Sequence, residues 1–253
     1  MISYLYLPIP GSGSQAKRKI YVYQPPSEYG PFPVLYMMDG HNVFFDQDAT
    51  YGKSWGMKEA IEGMELPLMI VAVDCDHSPR NGRLREYSPF TFRDPGLGTI
   101  RGRGQTYMDW MAHTLKPIID STYDTLPSRE FTFIAGSSMG GLMALYALCR
   151  HGDTFSGAAA LSPSLWTSPR SVHSMICSSP YLKGSRLYMD YGEKELQHHQ
   201  GMLSIFTRSV ADAMAAGAMV CAQIVPGGEH CEACWERQVP AFLTYLLDDP
   251  FES

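Results

Sequence analysis

The sequence predicts an α/β fold: a mostly parallel central sheet with helices on both faces. Three observations carry this. Short apolar, β-branched runs alternate with helix-length amphipathic stretches along most of the chain. The runs are apolar at nearly every position, as in strands covered on both faces, rather than at every second one. The chain has 253 residues, 45% hydrophobic and 18% charged, which suffices for one large core and is ordinary for a globular protein.

Taken in order, strands are expected at 19–23, 34–38, 68–74, 131–135, 157–161, 187–191 and 219–225. Helices are expected at 54–64, 105–119, 139–150, 170–177, 197–216 and 235–247, with Gly217 capping the long one just before the last strand. Repeats, low-complexity tracts and long linkers are absent from the sequence, so 1–253 reads as one domain. Residues 75–104 fit neither period. They hold Arg80, Arg83, Arg85, Arg93, Arg101 and Arg103, opposed only by Asp76, Glu86 and Asp94, and are broken by glycines and prolines. A structureless stretch this long is either a solvated surface excursion or a flap over an active site.

A net charge of −6 excludes a phosphate-tracking surface, so no nucleic-acid partner is expected. The longest apolar run, 68–73, is far too short for a bilayer, and no membrane partner is expected. The first residues, Met1-Ile2-Ser3-Tyr4, lack a charged leader region, so a cytoplasmic setting is expected. There, Cys75, Cys149, Cys177, Cys221, Cys231 and Cys234 read as reduced thiols. Cys231 and Cys234 form a Cys-x-x-Cys, but no second pair stands at ligand spacing, so neither a metal site nor any cofactor is expected. A small-molecule ligand is the expected partner, and association into a homo-oligomer stays open.

The chemistry concentrates in Gly136-Ser137-Ser138-Met139-Gly140-Gly141, between an expected strand and an expected helix. A Gly-x-Ser-x-Gly turn this tight leaves no room for side chains two residues either side of the serine. It lifts the Ser138 hydroxyl clear of the sheet at a helix N-terminus and aims the Met139 N–H at a developing oxyanion. Ser137 lacks the spacing. The base should follow in a loop after the last strand, where His230 stands in Pro226-Gly227-Gly228-Glu229-His230. His198 and His199 at a helix start and His173 on a short helix read as surface or capping residues. The acid should follow the strand at 187–191. Asp190 falls within that strand, while Glu193 and Glu195 lie beyond it, and Glu195 holds the better loop position; a Ser–His dyad also remains open. The second oxyanion donor is expected after the strand at 34–38, in Asp39-Gly40-His41-Asn42, from the His41 N–H. No partner stands at ligand spacing from His41, which argues against a metal there.

These residues carry a resemblance. From about residue 18 to 247 the chain is similar to the putative esterase family, which contains esterase D, the feruloyl and acetyl-xylan esterases of carbohydrate esterase family 1, mycolyltransferases and enterochelin-type siderophore esterases. The likeness rests on Val34-Leu35-Tyr36-Met37-Met38-Asp39-Gly40, Arg85-Glu86-Tyr87-Ser88-Pro89, the serine turn, Ser162-Pro163-Ser164-Leu165-Trp166, and Gly227-Gly228-Glu229-His230 with Trp235. It implies an α/β-hydrolase fold and ester hydrolysis through an acyl-enzyme. It implies Ser138 as nucleophile, His230 as base, Met139 and His41 as main-chain oxyanion donors, and an acid at a Gly-x-x-Asp place, here Glu195. Glutamate at that place departs from the family's aspartate. Gly40 and Arg85 are expected to touch substrate, and Trp166 either lines the pocket or packs under its rim. The substrates implied are short-chain acyl or aryl esters of carbohydrates or similar small molecules; siderophore lactones, acyl transfer and thioesters are the alternatives.

Overall fold

The computed structural model describes residues 1–10, 17–198 and 201–248. Its centre is an eight-stranded sheet. In chain order its strands are β1 (Ile2–Pro8), β2 (Lys17–Tyr23), β3 (Val34–Met37) and β4 (Met69–Val73). A separate two-stranded hairpin, β5 (Phe92–Asp94) and β6 (Gly98–Ile100), intervenes before β7 (Thr132–Ser137), β8 (Gly157–Leu161), β9 (Arg186–Gly192) and β10 (Met219–Val225). The spatial order is β1-β2-β4-β3-β7-β8-β9-β10. Pairing is parallel from β4 to β10, and antiparallel only where β2 meets β1 and β4.

The alternation of side chains across the pleat divides the core in two. Val34 and Tyr36 of β3 face one layer, with Met108, Leu115 and Leu142; Leu35 and Met37 face the other, with Met57, Trp235 and Phe242. Helices α3 (Gly104–Trp110), α4 (Lys116–Thr122), α5 (Met139–Arg150), α6 (Pro169–Cys177) and α8 (Met202–Ala215) build the first layer. Helices α1 (Met57–Gly63), α9 (Glu232–Glu236) and α10 (Val239–Leu247) build the second. Burial on both faces is why the central strands read as unbroken apolar runs. No helix among the described residues is long and apolar enough to cross a membrane.

Several elements differ from the sequence expectation. The helix expected at 197–216 is two: α7 (Glu193–His198) and, after Gly201 at φ 88°, α8. The turn residue Gly201 resets the helix axis. Gly217, at φ 92° just past α8, occupies the capping place expected of it. The helix expected at 235–247 also divides, because Pro240 in the first turn of α10 starts a new helix after α9. Strand β1 was not expected; it is an edge strand with Tyr4 and Tyr6 exposed, so it lacks the apolar run of a central strand.

The 75–104 segment is neither structureless nor merely solvated. It contains α2 (Gly82–Glu86) and the β5–β6 hairpin, and it buries Tyr87, Phe92 and Ile100 in the core. Glu86, Arg83, Arg103 and Asp76 of this segment pair inward. Arg18 of β2 meets Glu86 through two bonds of 2.9 and 2.8 Å, both residues buried. Arg83 clamps Asp39 at 2.6 and 2.7 Å, and Arg103 reaches Asp76 at 3.2 Å. Such paired, forked guanidinium–carboxylate geometry fixes a segment that apolar periodicity does not reveal.

Candidate active site

Ser138 sits at φ 57°, ψ −121° between β7 and α5, a conformation an L-residue adopts only when its surroundings impose it. They do so through a ring of main-chain bonds: Ser138 N donates to Leu161 O at 2.9 Å, Ser164 N to Ser138 O at 2.9 Å, and Leu142 N to Ser138 O at 3.1 Å. Glycine is required at both flanks. A Cβ on Gly136 would lie 2.6 Å from the Gly140 carbonyl carbon, and one on Gly140 2.9 Å from Met38 Cβ. The Ser138 hydroxyl lies 3.4 Å from that of Ser164 and opens into the cavities described below.

His230 comes from the loop after β10, and its Nδ1 is 2.6 Å from Glu195 Oε2. Glu195, in the first turn of α7, is buried while His230 is exposed, so the acid is fixed and the imidazole reaches outward. The other oxygen, Oε1, accepts the Ser162 hydroxyl at 2.6 Å and the Gly192 N–H at 2.9 Å. Ser162 in turn accepts the Trp235 indole N–H at 3.1 Å, and the Trp235 ring meets the His230 ring edge-on at 5.0 Å. Burial pushes the Glu195 carboxyl up, but the bonds from His230, Ser162 and Gly192 outweigh it and hold the group below the ordinary glutamate value. Asp190 is different: its side chain is buried inside β9, and burial, with the Glu195 charge adding, raises its carboxyl to about 7. Glu193 bonds the Gly227 N–H at 2.8 Å rather than His230. The carboxylate the structure brings to His230 is thus Glu195.

The turn after β3 begins at Asp39, at φ 54° and held by Arg83, and runs through a single helical turn, Gly40–Asn42. Gly40 was expected to approach a ligand. Instead it packs on the neighbouring strand: a Cβ there would lie 2.7 Å from Ala72 O and 2.9 Å from Asp74 N, and Gly40 does not line the cavities. Its missing side chain lets the turn lie against the end of β4, which positions the His41 main chain. The His41 ring is buried, with Nδ1 2.6 Å from Asp74 Oδ1 and Nε2 2.9 Å from Thr50 Oγ1.

Two cavities share Ser138 and His230 as walls. One, of about 470 Å³, is lined by Asp39, His41, Thr50, Asp76, His77 and Glu232 among others. The second, of about 630 Å³, is lined by Met139, Pro163, Trp166, Tyr191 and Met202, and also by Lys194, Glu195 and Glu229. Trp166 does reach this cavity, half-exposed and edge-on to Phe92 of the hairpin at 5.9 Å. Arg85 does not line either one; Arg83 and Leu84 do. At about 100° per residue, Arg85 stands roughly opposite Arg83 on α2 and cannot face the same way. Ser162, Arg83 and Asp74 are site residues the sequence did not single out. Ser162 lay within a quoted stretch, and Asp74 ended an expected strand, but both act through partners distant in the chain.

His41 has neighbours with ligand atoms in space that it lacks along the chain. The ends of β3 and β4 are neighbours, so Asp74 and His77 stand beside it, with His77 Nε2 2.9 Å from the same Asp74 oxygen and Cys75 adjoining.

The match to known proteins follows this geometry. A model of the Putative esterase family matches residues 12–244. The uncharacterized protein YbbA of Bacillus subtilis is 26% identical over 208 residues, 76% of this chain and 76% of that protein. The siderophore triacetylfusarinine C esterase of Aspergillus fumigatus is 27% identical over 143 residues, 54% of this chain and 46% of its own length. Among solved structures, an IroE-like serine hydrolase from Shewanella oneidensis superposes with a TM-score of 0.72 at 19% identity, covering 94% of this chain and 78% of that one. At that identity the likeness speaks for the fold alone. With a single family model spanning nearly the whole chain and the sheet of that family beneath it, the chain belongs to the Putative esterase family and is an ester hydrolase.

Proposed function

We propose that the chain hydrolyses a small carboxylic ester through an acyl-enzyme on Ser138, with His230 as general base and Glu195 as the acid that orients it. The observation that carries this is the short Glu195–His230 contact of 2.6 Å beside a serine held at positive φ in a shared cavity. With Nδ1–H donated to Glu195, the imidazole keeps Nε2 as a lone pair for the serine proton. Ser138 Oγ attacks the ester carbonyl as His230 takes its proton. The Met139 and His41 main-chain N–H groups receive the tetrahedral oxyanion. His230 returns the proton to the leaving alcohol, and water then enters by the same route and releases the acid. The Ser162–Trp235 chain fixes the carboxylate from behind. A cytoplasmic setting belongs to this proposal, and the six free thiols favour it.

The substrate proposed is a short-chain acyl or aryl ester of a carbohydrate or similar small molecule, its apolar part in the larger cavity beside Met139 and Trp166. A siderophore ester is the second reading, favoured by the similarity to the Aspergillus enzyme. Hydrolysis of p-nitrophenyl acetate, butyrate and octanoate, alongside a siderophore lactone, tests both. Turnover by the wild type and none by Ser138→Ala is the expected result. A folded wild type inert toward every one of these esters would remove the proposal.

A further inference from the structure

The His41 side chain lies outside the catalytic steps above, yet it is buried in a built cluster. The parallel pairing of Met37 with Ala72 brings the chain after β3 level with the chain after β4. There His41 Nδ1 and His77 Nε2 converge on Asp74 Oδ1 at 2.6 and 2.9 Å, and the two rings stand edge-to-face with centroids 4.8 Å apart.

Two imidazoles and one carboxylate are a donor set for a borderline cation such as zinc, which takes nitrogen and oxygen ligands at about 2.0–2.2 Å. Ligand atoms on a tetrahedral ion of that size lie about 3.3 Å apart, so the two nitrogen–oxygen pairs need open by only some tenths of an ångström. The groups behind them are in place. Thr50 Oγ1 holds the far nitrogen of His41 at 2.9 Å, and the Cys75 N–H holds Asp74 Oδ1 at 2.8 Å. Such contacts orient ligating rings and carboxylates. His41 and His77 also line the cavity that Ser138 and His230 line.

We propose that His41, Asp74 and His77 form a three-ligand site for a zinc-class divalent cation, and that the ion inhibits ester hydrolysis by occupying this cavity. The ion would leave its coordinated water toward the serine and hold the turn that carries the His41 N–H. The inhibitory half rests on the function proposed above; the binding half does not.

Titration of metal-free protein with zinc chloride in a calorimeter, paired with p-nitrophenyl acetate turnover with and without zinc, tests each half. The side chain of His77 is 59% exposed, so His77→Ala should fold normally. The turnover of this variant without zinc serves as its own reference. The variant should bind zinc at least about tenfold more weakly and lose the inhibition. Asp74→Asn should likewise bind zinc more weakly, its inhibition read against its own zinc-free turnover. Zinc binding unchanged in both His77→Ala and Asp74→Asn would overturn the site. Binding lost in those variants, with wild-type turnover indifferent to zinc, would overturn the inhibition alone. An enzyme inert toward esters would leave the calorimetry to decide the site.

Discussion

The two cavities that meet at Ser138 are built by different parts of the sheet, and they differ in character. The smaller is walled by the ends of β3 and β4 and by α2, and it is crowded with paired charge: Asp39 with Arg83, and His41 and His77 with Asp74. The larger follows the ends of β7, β8 and β9, and Met139, Pro163, Trp166, Tyr191 and Met202 make its wall. The sequence of crossovers reverses at β3, so this division falls at the topological switch of the sheet, where open α/β sheets hold their ligands. The serine thus has one side crowded with internal ion pairs and another where apolar side chains stand among the charged ones. Substrate discrimination should therefore come from the second.

The largest effect is expected from removing a wall that the two cavities share. Ser138→Ala should lower kcat/KM toward p-nitrophenyl esters on the order of 10⁴-fold or more, whatever the acyl chain. Alanine keeps the strained backbone, so circular dichroism should show an intact fold. Next, Glu195→Gln should cost about 10³–10⁴-fold at neutral pH, because an amide no longer favours the tautomer with Nε2 free. The loss should fall on kcat and be equal for acetate and octanoate; a loss confined to one ester would contradict an orienting role.

Trp166→Ala sharpens the contrast instead. Stripping a half-exposed indole from the larger cavity should weaken octanoate or aryl esters about tenfold in kcat/KM, and acetate hardly at all. Equal loss for all chain lengths would put the acyl group elsewhere. The smallest effect is on stability behind that cavity. Burial raises the Asp190 carboxyl to about 7 in the folded chain, above its unfolded value. Its contribution is therefore fully present below the unfolded value and is lost as pH rises through about 7. Asp190→Asn removes that titration. Urea midpoints measured between about pH 5 and pH 8 should move in the variant's favour as pH rises.

The parts of this molecule that were legible in the sequence are those fixed by local physics. The serine turn is set by glycines at fixed offsets, and the central strands by burial on both faces, so both stand where the spacing put them. His230 was legible because the chain order of the fold leaves one loop for it. Glu195 was legible as one of three carboxylates, and its contact with His230 distinguishes it from Asp190 and Glu193. What could not be read depends on pairs far apart in the chain. The Arg18–Glu86 and Asp39–Arg83 bonds order the 75–104 segment across separations of 68 and 44 residues, which no period records. The substitution of Arg83 for Arg85 in the cavity has the same origin, since a short helix inside that segment decides which arginine turns inward. Gly40 was recognised as a close approach, but its neighbour is β4 rather than a ligand.

The left-handed backbone at Ser138 has a consequence for how this fold can change over time. A conformation of that kind costs about 1–3 kcal/mol in a residue bearing a side chain, and glycine adopts it freely. Relaxed selection for catalysis would thus favour glycine at this position on stability grounds alone. Descendants that abandoned chemistry for binding would gain robustness by exchanging this serine for glycine, and under the mechanism proposed above the retained serine offsets that cost with chemistry.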